Sequence, residues 1–285
     1  MSALFIAVAL VLRTFTTFYI PLFGYGSGMR IGIHGIFSMM PAILFGPIFG
    51  GITSGLTDLF GFMIRPSGPF LPLMTLIVTI GGVVRGGLWL LLRNRNPIAT
   101  RAVVAVFAVG MLLLGFISRD MLNSDGITPQ LFDNVYAGTG RIDTSEMSTI
   151  SRWLVIRTQD VANPSNTLST MITVVTTAPV AVAALGLLLL GIDLVIAWVR
   201  KKNGEEQSSI MPILIAMLTS SIMVSTLNTI LLSRTVFTSW QLMPFVVVWL
   251  PRVIQTIVTT TLYAYFVSFF LSICRNQPTL KQLIR

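Results

Sequence analysis

Asp58 is a carboxylate that closes a long apolar run, Ile36–Gly61, IFSMMPAILFGPIFGGITSGLTDLFG. An acid within a bilayer is costly unless it is paired or faces a cavity, so it marks a site rather than a plain anchor. Arg252 follows Pro251 near the outer end of the last apolar segment, at a similar depth. Two chemistries are open to this couple. Asp58 forms a structural salt bridge or touches a ligand, and Arg252 pairs with Asp58 or faces a ligand carboxylate. Arg30 and Arg65 flank the short segments around Asp58, and guanidinium forks suit carboxylate or phosphate, so both are candidate anion receivers. The alternative for each is an arginine at headgroup level. Arg13 and Arg85 lie inside apolar segments, and snorkelling to the cytoplasmic interface is the default reading of Arg85.

Other chemistries lack their parts. The single Cys274 excludes an internal disulfide framework, and the single His34 leaves too few nitrogens for a typical zinc or iron site. No metal, cofactor or catalytic group is expected, and the chain is not expected to be an enzyme. His34 reads as a helix-end polar group. There is no G-x-x-x-x-G-K-[ST], so any ATP hydrolysis belongs to another polypeptide.

The elements that position these residues are membrane helices. Hydrophobic residues make up 54% of the 285, and charged residues only 10% against about 25% in soluble domains. Apolar segments run at Ala3–Phe23, Ile33–Phe45, Pro47–Ile64, Phe70–Leu92, Ile98–Ile117, Thr167–Val199, Ser209–Leu232 and Pro244–Cys274. Gly24–Gly32 is a glycine-rich connector. The prolines and glycines of the Asp58 run suit helices packed closely inside a bundle, where small residues let backbones approach.

The net charge of +9 reads as topology rather than nucleic-acid binding. Arg93, Arg95, Arg101, Arg200, Lys201, Lys202, Arg275, Lys281 and Arg285 fall on one side if eight spans leave both termini cytoplasmic. The stretch 118–166 is mildly acidic and falls outside. Within it, Asp143 and Glu146 have capping-box spacing ahead of a short amphipathic helix. Asp193 sits close enough to Arg200-Lys201-Lys202 for simple charge balance.

The block Met29-Arg30-Ile31-Gly32-Ile33, Pro41, Gly46-Pro47, Gly50-Gly51, Gly55, Asp58, Pro66, Gly68 and Phe70-Leu71-Pro72 resembles the S component of energy-coupling factor (ECF) vitamin transporters, the folate-type branch above all. Leu227-Asn228-Thr229 and Leu250-Pro251-Arg252-Val253-Ile254-Gln255 are similar to the same family near the C-terminus. Ala3-x-x-x-Ala7 resembles the small-residue motif that such components present to their membrane partner, which makes Ala3 and Ala7 candidate docking residues. Phe23, Phe70 and Trp249 adjoin the matched motifs and are candidate stacking partners for a flat heterocycle; aromatic belts explain the other outer rings.

The fold expected is an all-α polytopic membrane bundle. It has a six-helix S-component-like core in residues 1–97 and 200–285, with an inserted helix pair and extracellular segment in 98–199. The resemblance implies capture of a vitamin or related micronutrient, such as a folate, at the outer face of a bacterial plasma membrane. Delivery then requires a transmembrane coupling subunit and two ATPases. The alternative is a stand-alone secondary transporter, for which the spans offer few acids beyond Asp58 and Asp193.

Overall fold

The structure, a computed structural model, describes residues 2–22, 25–66, 69–128, 130–132, 142–159, 164–202, 210–237 and 245–276. In chain order the elements are α1 (Ser2–Thr16), β1 (Phe18–Leu22), β2 (Tyr25–Ile31), α2 (His34–Leu44), α3 (Pro47–Ile64), α4 (Pro72–Leu92), α5 (Pro97–Ser124), α6 (Thr149–Thr158), α7 (Pro164–Lys202), α8 (Met211–Thr235) and α9 (Phe245–Asn276). Each of the eight apolar segments forms a helix, and the fold is an all-α polytopic bundle with one hairpin. Six helices among the described residues, α3, α4, α5, α7, α8 and α9, are long and apolar enough to cross a membrane.

The other two, α1 and α2, are apolar but shorter. Helix α1 has 15 residues and α2 has 11, which at 1.5 Å per residue gives about 22 and 17 Å against a hydrocarbon core of roughly 30 Å. The first segment was expected to stay helical to Phe23, but it stops at Thr16. Beyond it, the aromatic and β-branched run Phe18-Tyr19-Ile20 pairs antiparallel with the supposed connector, Phe18 opposite Ile31 and Ile20 opposite Met29.

The chain divides into two compact units. The first comprises Met1–Thr100, Ala197–Phe237 and Arg252–Arg285. Its centre is the α3–α4 pair, with α1 and α2 on α3 and with α8 on α4. Pro47 opens α3 from Gly46, whose φ of 90° is a conformation that favours glycine. The small-residue block then does what its spacing implies. A Cβ on Gly50 would meet the carbonyl oxygen of Gly82 at 2.7 Å, and one on Gly51 would meet Val83 at 2.7 Å. Gly55 abuts Thr79, and Gly86 abuts Pro47. The two backbones therefore touch along about two turns, with no room for larger side chains.

The second unit comprises Arg101–Ile196 and Thr238–Pro251. Within it α5 lies against α7, where Gly115 meets Val180 and Thr176. Leu122, Ile127, Phe132, Leu154, Val155, Leu168 and Met171 form a buried cluster joining the end of α5, α6 and the start of α7. One sequence expectation is corrected here, and a partner is added for Asp193. The amphipathic helix begins at Thr149, not at Asp143, because the Ser148 side chain caps it by accepting from the Ser151 amide, while Asp143 accepts from the Ser145 amide in a turn ahead of it. Asp193 is only 2% exposed and pairs with Arg101, whose Nε lies 2.7 Å from Oδ2. A buried carboxylate needs such a partner; the side chains of Arg200, Lys201 and Lys202 lie outside the description.

Candidate functional site

Inside the first unit lies a cavity of about 590 Å³. Its walls come from six helices, five of which contribute a stripe and one a single side chain. Helix α3 supplies Ser54, Thr57, Asp58 and Phe62; α4 supplies Met74, Thr75, Val78 and Arg85. Helix α8 supplies Ser221, Val224, Ser225, Asn228 and Leu232, and α9 supplies Arg252, Gln255, Thr256, Thr259, Thr260 and Tyr263. His34, Gly35, Ser38 and Met39 close the α2 side, and Arg13 enters from α1.

The partner of Asp58 is Arg13. Its Nη1 lies 3.4 Å from Oδ1, donates to the Thr57 carbonyl at 2.8 Å and reaches the Asp58 carbonyl at 3.3 Å. Thr75 Oγ1 donates to the other carboxylate oxygen at 3.0 Å. Asp58 forms a salt bridge, with Arg13 in place of the expected Arg252, and its side chain still lines the cavity. The reach of Arg13 depends on Gly61, where any Cβ would overlap its guanidinium. Asp58 therefore ties α1, α3 and α4 together at the cavity wall.

The other candidates are placed unevenly. Phe70 lines the cavity and packs against Phe62 with ring centroids 5.1 Å apart. Arg252 lines it as well. Arg65 does not; it is exposed, and its Nη1 donates to the Thr14 carbonyl at 3.0 Å. Trp249 is not among the lining residues; in the second unit it stacks on Phe245, centroids 6.2 Å apart. Arg30 sits in β2 opposite Tyr19, with its side chain outside the description, and Phe23 lies outside the described residues. Ala3 and Ala7 are exposed on one face of α1 with Leu4, Val11 and Phe15.

Several lining residues were given no ligand role from sequence. Thr57 Oγ1, Ser221 Oγ and Asn228 Oδ1 are buried with no hydrogen-bond partner among the described residues. Tyr263 donates its hydroxyl to the Gly32 carbonyl, fixing α9 to the entry of α2. Arg85, read as snorkelling, is instead 4% exposed, with Nε 3.1 Å from Ser220 Oγ. The available signal was its position in an otherwise apolar, glycine-rich helix.

No protein-family model matches the chain, and no solved structure matches it significantly. The folate transporter FolT of Clostridium novyi (strain NT) is 32% identical to it over 85 residues, 30% of this chain and 48% of that protein. The chain thus spans about half the length of the curated relative that it matches. That similarity supports the resemblance to folate-type S components carried by the glycine–proline block, and with the six long apolar helices it marks the chain as a multi-pass membrane protein.

Proposed function

We propose that this chain is the substrate-binding membrane subunit of an ECF-type importer, capturing a folate-like vitamin or related anionic micronutrient and releasing it inward with a separate ATPase module. The observation that carries the reading is the cavity. Its volume of about 590 Å³ lies within the roughly 300–1,000 Å³ usual for small-molecule sites. Three arginines, Arg13, Arg85 and Arg252, line it against one carboxylate, Asp58, so the wall favours an anion. Phe62, Phe70 and Phe237 offer flat apolar surface for a ring. Phe70 and Arg252 are the proposed ligand contacts, and Asp58 acts by holding Arg13. The likeness to a folate transporter agrees with this chemistry.

The stand-alone secondary transporter loses support at its acids. Asp58 and Asp193, the acids expected within spans, are both held in ion pairs, which is poor material for a proton relay. Uptake by proteoliposomes separates the two readings. Radiolabelled folate should accumulate only when the coupling subunit, both ATPases and ATP are present. Accumulation by this chain alone under an ion gradient would contradict the proposal.

A further inference from the structure

Arg85 belongs to neither ion pair. It is 4% exposed, and among the described residues its bonding is one contact, Nε to Ser220 Oγ at 3.1 Å, with no carboxylate beside it. A guanidinium carries five N–H donors, so most of this buried capacity is unspent on the described protein. The neighbouring Ser221 is 6% exposed, its Oγ lacks a partner among the described residues, and it lines the same cavity. A buried cation without a counter-charge is unfavourable in a protein interior and more so at membrane depth.

Its place in the cavity gives that arrangement a purpose. Gly86, next to it, abuts Pro47 at the start of α3, and Gly81 abuts Val224 of α8. Phe62 and Phe70 stand at the other end, by the α3–α4 turn. Along α4 the lining runs from Leu71 to Arg85, about 21 Å at 1.5 Å per residue. The cavity is therefore long, with Phe62 and Phe70 at one end beside the Arg13–Asp58 pair and the uncompensated Arg85 at the other.

We infer that Arg85, with Ser221, is an anion subsite that takes the carboxylate or phosphate end of an elongated substrate whose ring lies against Phe62 and Phe70. This rests on the substrate-binding role proposed above and adds the ligand's orientation: the anionic end lies at Arg85 and the ring at Phe62 and Phe70. The uncompensated guanidinium makes the empty protein less stable than it could be, and the ligand's oxyanion supplies the missing counter-charge.

The test uses purified full chain, wild type, Arg85→Met and Arg85→Lys, with folic acid, 6-methylpterin (the ring without carboxylates) and sodium phosphate as probes. Arg85→Met should lower folic acid affinity at least tenfold, leave pterin affinity unchanged, and melt no lower than wild type without ligand. Arg85→Lys should keep part of the preference. A lower melting temperature with equal loss of both ring compounds would make Arg85 merely structural and overturn the inference. So would an undiminished folate preference in Arg85→Met, or protection by phosphate that is as large in Arg85→Met as in wild type. If neither ring compound binds wild type while Arg85→Met is stabilised, the folate-like substrate fails and the uncompensated-cation assignment stands.

Discussion

Gly61→Ala tests the Arg13–Asp58 tie with a single methyl group. In an isolated helix the change is favourable by about 0.8–1 kcal/mol, because alanine is the better helix former. Here the new Cβ falls on the Arg13 guanidinium, which must leave its bond to the Thr57 carbonyl at 2.8 Å and its contact with Asp58 Oδ1 at 3.4 Å. Hydrogen bonds from charged groups contribute roughly 1.5–3 kcal/mol each, and the longer contact to a partly exposed carboxylate sits at or below the low end. A net destabilisation of about 1–3 kcal/mol is expected after the helix gain. Arg13→Met removes the obstacle, so on that background Gly61→Ala should be neutral or stabilising by up to about 1 kcal/mol. Reversible unfolding of the four proteins in mixed micelles gives the double-mutant cycle. Additive effects, with Gly61→Ala equally harmful on both backgrounds, would refute the argument that Gly61 exists to let Arg13 pass.

Asp193→Asn should destabilise the second unit by about 3–5 kcal/mol by stranding Arg101, whereas Arg101→Met with Asp193→Leu should recover most of that loss in the same assay. Asp125 is held below its ordinary value of 3.8, first by the Ser148 side chain and then by the Ser151 side chain and the Ser148 amide. A lowered folded-state value means that its contribution is present above the unfolded value and lost as pH falls through the folded one. Hydrogen exchange at 148–151 should therefore rise on acidification below about 3.8, and Asp125→Ala should flatten that dependence. Leucine at both Ala3 and Ala7, which are exposed, should weaken co-purification with the coupling subunit and leave folate affinity intact.

Much of the frame was legible because prolines and glycines act locally. Pro47 starts α3 and Pro72 starts α4, and Gly50, Gly51 and Gly55 face a helix that only small residues allow so near. The end of α1 was not legible, since Phe18–Leu22 is as apolar as the helix before it and only pairing with β2 makes it a strand. Asp58 could be recognised as needing a partner, but the choice of Arg13 over Arg252 is settled by three-dimensional packing across Gly61, not by depth along the sequence. Arg85 was misread for a related reason. Snorkelling assumes that the stem faces lipid, whereas the glycines around it turn that face of α4 toward α3 and α8.

The most direct measurement is equilibrium binding of folic acid to the purified chain, by titration calorimetry, with no nucleotide and no other subunit present. Saturable one-to-one binding is expected, weakening sharply in Arg252→Gln and Phe70→Ala. Absence of saturable binding of folic acid and of related anionic ring compounds, to a chain shown to be folded, would contradict it.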